Sequence, residues 1–134
     1  MMRGAKPTMQ TDAEAITNLE APAWLSPAAV AEWDRVMPIL AERRILTVAD
    51  LGGLENYCTA IGTVREMEAM MQTDGRVIAT ENGLKRHPAV GIQSDAMTRA
   101  RLLASELGLT PVSRSRPTVR ADDNPDSTPS PLDM

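Results

Sequence analysis

From Val48 to Met71, apolar residues recur at steps of three and four: Val48, Leu51, Leu54, Cys58, Ile61, Val64, Met67 and Met71. Such spacing lays them along one slowly drifting stripe of an α-helix. The helix opens at Thr47, where Thr47-Val48-Ala49-Asp50 resembles a capping box with Asp50 in the glutamate position, and Asp74-Gly75 stops it. A helix this long in a chain of 134 residues is expected to pack against a partner.

Two shorter helices flank it. The first starts at Ser26 as N-cap with Pro27 at the first helical position, a pair that satisfies an orphan amide and pre-sets φ. Val30, Trp33, Met37 and Leu40 then form one apolar stripe, and Pro38 within it is expected to kink or end the helix near Met37. The last helix follows Pro88: Ile92, Ala96, Ala100, Leu103 and Leu107 share a face, and Gly108 supplies the left-handed stop before Pro111. Between the second and third helices, Arg76 to His87 holds a β-branched run and Asn82-Gly83. Asn-Gly favours a two-residue hairpin turn, which would pair Ala79 with Arg86 and Ile78 with His87 and leave neither face cleanly apolar. The segment reads as a small projecting hairpin or an ordered loop.

The fold class is therefore mainly α: a compact helical domain of about three helices, with a short β-hairpin or loop between the second and third. Residues 1–22, polar and carrying Pro7 and Pro22, read as a flexible N-terminal segment. Residues 23–113 form the helical oligomerisation domain, and residues 114–134 a disordered tail with Pro117, Pro125, Pro129 and Pro131 among Ser, Thr and Asp. A domain of that size buries only about 60–65% of its unfolded surface. Aromatic residues are limited to Trp24, Trp33 and Tyr57, and flexible Met stands at 37, 67, 70, 71 and 97, so self-association is a natural remedy for a marginal core. Trp33, Leu51, Leu54 and Ile61 are expected to pack within the subunit, and surplus apolar surface around Val64, Met67 and Met71 to meet a neighbour.

Several function classes fall away. One Cys and one His exclude a cystine scaffold and a Cys/His zinc site, so neither metal nor cofactor is expected. No apolar run approaches the ~18 residues of a membrane span, and the start lacks a signal-peptide stretch, which points to a soluble, cytoplasmic product. Cys58 lies on the apolar stripe and reads as a small core hydrophobe. His87 reads as an exposed residue, solvated or touching phosphate. Neighbouring carboxylates such as Glu66 and Glu68 face different directions on a helix, and no glycine-rich loop precedes Lys-Ser or Lys-Thr. No enzyme is expected.

The cations are clustered within a chain of 14 Lys and Arg against 18 Asp and Glu, net charge −4. Arg3 and Lys6 lie near the start, Lys85 and Arg86 on the hairpin, Arg99 and Arg101 on the third helix, and Arg114, Arg116 and Arg120 after it. The stretch 114–120 carries +3 and 121–134 carries −4. A basic segment before an acidic one suits polyanion binding with a built-in competitor, or else a solvated linker. Sparse aromatics disfavour stacking on single strands, whereas duplex phosphate contact needs only cations.

An ordered set of motifs resembles one family. Ala-Pro-Ala-Trp-Leu-Ser-Pro-Ala-Ala-Val-Ala-Glu-Trp at 21–33 looks like the opening helix of one type of phage terminase small subunit, as does Ile-Leu-Thr-Val-Ala-Asp at 45–50 leading into Leu-Glu-Asn-Tyr-Cys at 54–58. His87-Pro88 and Glu-Leu-Gly-Leu-Thr-Pro-Val-Ser-Arg-Ser-Arg at 106–116, with its Gly-Leu-Thr-Pro-x-Ser-Arg core, complete a pattern that begins at Arg3-Gly-Ala-Lys-Pro-Thr. The resemblance implies a non-enzymatic, ring-forming component of a viral DNA-packaging motor, acting in the host bacterial cytoplasm for a virus or a prophage. It would recognise double-stranded viral DNA at the packaging start and regulate the terminase large subunit, which holds the ATPase and nuclease. Arg3, Lys6, Lys85, Arg86, Arg99, Arg101, Arg114 and Arg116 are then the expected DNA contacts. A small helical adaptor binding a protein partner is the alternative. A dimeric DNA-binding regulator would need a recognition helix that no motif marks.

Overall fold

The computed structural model describes residues 17–44 and 46–111. Three helices form the body: α1 (Pro27–Arg43), α2 (Leu51–Asp74) and α3 (Pro88–Glu106). One turn of 3-10 helix (Val48–Asp50) leads into α2, and an antiparallel hairpin of β1 (Val77–Thr80) and β2 (Gly83–Arg86) joins α2 to α3. Expectations for residues 1–16 and 112–134, Arg3, Lys6, Arg114 and Arg116 included, lie outside the described residues.

The helix boundaries follow their capping chemistry. Ser26 Oγ accepts from the Ala29 amide at 3.2 Å. The Thr47 amide donates to Asp50 Oδ2 at 2.9 Å, the return half of a capping box. Gly75, at φ +88°, ends α2, and Gly108, at φ +76°, turns the chain after α3. Arg43 then donates to the Gly108 carbonyl and ties that turn back to α1.

Pro38 does not end α1 near Met37, because the helix runs on to Arg43. Pro38 is exposed, so the hydrogen bond it cannot make is missing on the wet side of the helix, while Met37 and Leu40 on the other side are buried and hold the helix in place. Trp33 is also buried, and its indole Nε1 donates to the Leu19 carbonyl at 2.8 Å, fastening the preceding segment to α1.

α2 is central, with α1 and α3 packed against different faces of it. Toward α1 it offers Gly62, where an added Cβ would stand 2.8 Å from the Ala29 nitrogen. Toward α3, Gln93 Nε2 donates to the Val64 carbonyl at 3.0 Å and to Glu68 Oε1 at 3.1 Å. The partner that a long helix demands is therefore found first within the chain. Met71 is only 2% exposed within the single subunit and offers no surplus surface to a neighbour. Val48, at the solvent edge of the 3-10 turn, is exposed and does not extend the stripe.

The face expected of α3 holds at Ala96, Ala100, Leu103 and Leu107 and departs from expectation only near its start, at Ile92. The buried residues of α3 are Ala89, Gln93, Ala96 and Ala100, spaced at three and four, and Ile92 stands half exposed beside them. Small alanines let the backbone approach α2 closely, and Gln93 is tolerated because both its contacts are satisfied.

The hairpin register differs from expectation as well. Val77 pairs with Arg86, Ile78 with Lys85, Ala79 with Leu84 and Thr80 with Gly83, so Glu81 and Asn82 make the turn. Thr80 selects this register: its Oγ1 donates to the Gly83 carbonyl at 2.7 Å and accepts from the Asn82 amide at 3.2 Å. Gly83 takes φ +107°, which a residue with a Cβ rarely adopts.

Candidate functional site

Cross-strand partners share a face, so the register sorts the hairpin side chains into two sets. Val77, Ala79, Leu84 and Arg86 lie on one face, and Ile78 and Lys85 on the other. Every strand residue except Ile78 is exposed, with Leu84 at 76%. The face carrying Leu84 is thus a small apolar surface edged by Arg86.

His87 anchors the base of this hairpin and is buried rather than exposed. Its amide donates to the Arg76 carbonyl at 2.8 Å, Nδ1 accepts from the Ala89 amide at 2.9 Å, and Nε2 faces Asp74 Oδ2 at 3.0 Å. The Nδ1 contact makes Nε2 the proton-bearing nitrogen. One imidazole thereby caps α3 and grips the last residue of α2. A phosphate has no access to it.

Of the cations expected to touch DNA, Lys85, Arg86, Arg99 and Arg101 fall within the described residues, and all four are exposed. None forms an ion pair there, in contrast to Arg35, Arg65 and Arg76, which pair with Glu32 and Glu68. They do not make one patch. Lys85 and Arg86 lie on opposite hairpin faces, and Arg99 and Arg101, two residues apart on α3, point to different sides.

Arg99 borders an open groove of about 730 Å³ between α2 and α3. Ala60, Ile92, Ala96, Leu102 and Leu103 give the groove an apolar floor, and Ile92 and Leu102 remain half exposed. Val64 and Met67 of the expected interface are half buried.

The apolar spacing of the sequence does not mark Glu32 or its partners. Glu32 is fully buried, yet four hydrogen bonds satisfy it: Arg35 Nε at 2.9 Å and Nη2 at 2.6 Å, Arg65 Nη2 at 3.0 Å, and Tyr57 Oη at 2.6 Å. Burial pushes its carboxyl up, but the bonds from Arg35 and Tyr57 and the charges of Arg35 and Arg65 outweigh burial and hold it below the usual carboxylate range. Burial, helped by Glu32, pushes the Tyr57 phenol up to about 12. A signal was present: Glu32 falls between Ala29 and Val36 on the buried face of α1, with Arg35 one turn on. Cys58 is fully buried beside this cluster, and burial raises its thiol to about 12, as befits a core hydrophobe.

Among the described residues no group of three or more His, Cys, Asp or Glu could hold a metal ion, and no helix is long and apolar enough to cross a membrane. What the body presents is surface: an apolar hairpin face, an open groove and unpaired cations. The family model for the phage terminase small subunit matches residues 29–124, more than half of the chain, and the chain belongs to that family. No curated protein and no solved structure matches it.

Proposed function

We propose that this chain is a ring-forming terminase small subunit that binds double-stranded viral DNA at the packaging start and regulates the large ATPase and nuclease subunit, without catalysing a reaction itself. It would act in the cytoplasm of the bacterial host, away from any membrane. The observation that carries the DNA part is the state of its cations. In a chain of net charge −4, Lys85, Arg86, Arg99 and Arg101 are exposed and free of ion pairs with described residues.

Geometry divides these cations. Arg86 edges the apolar hairpin face and Arg99 borders the groove, whereas Lys85 and Arg101 stand clear of both. Lys85 and Arg101 therefore join Arg3, Lys6, Arg114 and Arg116 as phosphate contacts. Each contact is weak alone, but a ring repeats it in every subunit, and contacts made on one duplex act as one multivalent site. Val64 and Met67, half buried on α2, would contribute to subunit packing.

The test changes Lys85, Arg101, Arg114 and Arg116 to Ala in the full-length chain and follows duplex binding against salt. Affinity should fall, and the slope of log K on log salt should flatten by about 0.9 for each phosphate no longer neutralised. An unchanged slope would place the contacts elsewhere. Binding that ignores salt in the parent chain would favour the adaptor reading.

A further inference from the structure

We infer that the Leu84 face of one subunit's hairpin seats in the α2–α3 groove of the next subunit. The inference rests on the ring reading and names the surfaces that would build the ring. Three observations carry it. First, the hairpin exposes Val77, Ala79 and Leu84 on a single face, and the groove has an apolar floor with Leu102 half exposed; each leaves apolar surface in water that the other would cover.

Second, the charges are complementary. Arg86 edges the apolar hairpin face and Glu81 stands at its tip. The α3 side of the groove presents Asp95, Arg99 and Glu106 in that order, so a hairpin lying along it meets an acid with its arginine and Arg99 with its glutamate.

Third, the two surfaces do not meet within one chain, where Leu84 and Leu102 both stay exposed. The hairpin projects from the end where α2 gives way to α3, and Leu102 lies fourteen helical residues beyond Pro88, about 21 Å along the axis. A contact between different patches of identical chains is head-to-tail, and such contacts close into rings when the rotation allows. Each contact is small, but closure gives every subunit two of them.

The test uses cysteine pairs in the full-length chain, whose own Cys58 is buried. Leu84→Cys is combined with Leu102→Cys or with Thr59→Cys, which line opposite walls of the groove, and each variant is oxidised and run without reductant. A ladder of dimers, trimers and higher species from at least one double variant, with none from Leu84→Cys alone, is the expected result. Leu84→Asp, at an exposed position that leaves folding intact, should shift the native mass toward the monomer. A parent chain that assembles while both double variants stay unlinked would overturn this contact and leave the ring reading standing; the groove would then be open to residues 112–134 or to another protein. Crosslinked dimers from Leu84→Cys alone would overturn it in favour of hairpin against hairpin. A monomeric parent chain would remove both readings together.

Discussion

Gly62 and Ala29 set the distance between α1 and α2: a Cβ at Gly62 would lie 2.8 Å from the Ala29 nitrogen and 3.1 Å from its Cα. Real contacts of that kind do not come so close, and the obstructing atoms are backbone, which cannot rotate away. Ala is the better helix former by about 1 kcal/mol, but relieving the clash means moving a helix, which costs about 1–3 kcal/mol. Gly62→Ala should therefore lower stability. Gly52→Ala, in the same helix with nothing within 4 Å, should raise it by up to about 1 kcal/mol. Urea midpoints at one fixed protein concentration separate the two signs, since assembly makes stability depend on concentration. Equal shifts in one direction would contradict the close crossing.

Glu32 makes stability depend on acid. Its folded pKa lies below its unfolded value, so its contribution is complete above the unfolded value of about 4.3 and is lost as pH falls through that value toward the folded one. Glu68 acts in the same direction, since hydrogen bonds from Gln93, Gln72 and Arg76 pull it down to about 2. Glu32→Gln should destabilise the chain at pH 7 by about 2–3 kcal/mol, by leaving its cationic partners without a charge, and flatten the acid limb between pH 5 and 3. A limb as steep as the parent's would mean that other carboxylates govern it.

The imidazole of His87 holds the hairpin to the helices through Asp74 and Ala89. His87→Ala removes both side-chain contacts and keeps the backbone bond to Arg76. The loss of the cap should cost about 0.5–2 kcal/mol. Amide exchange should quicken at Ala89 and across the strands, with the Leu40 region unchanged. Uniform acceleration would instead indicate global destabilisation.

Cys58 should resist thiol reagents in the folded chain, because burial raises its thiol to about 12 and leaves no exposed sulfur. Labelling should begin only in the denaturant range where the chain unfolds. Stoichiometric labelling in native buffer would contradict the packing of α2.

Local chemistry was legible in the sequence. Ser26-Pro27, Gly75 and Gly108 act within a few residues of themselves and mark the boundaries they were expected to mark, whereas Thr47 with Asp50 caps the 3-10 turn that leads into α2 rather than α2 itself. The stripe of Trp33, Met37 and Leu40 was equally plain, since a single helix face needs no knowledge of its partner. What escaped notice depends on residues far apart in the chain. Glu32 is buried because Tyr57 and Arg65 reach it from α2, and Gln93 because the Val64 carbonyl awaits it. Met71 looked available until the fold covered it, and Asn82-Gly83 suggested a turn that the Thr80 hydroxyl moved by one residue. Of the candidate site, the cations could be named from sequence, and Lys85 and Arg86, adjacent on one strand, must take opposite faces; the place of Arg99 beside a groove depends on how α3 packs on α2 and could not be read.

The measurement that bears most directly on the account is the native mass of the full-length chain, by light scattering over a range of concentrations. A discrete assembly larger than a tetramer, stable on dilution, is the expected result, with each subunit repeating its weak phosphate contacts around one duplex. A monomer or dimer at every concentration would contradict it.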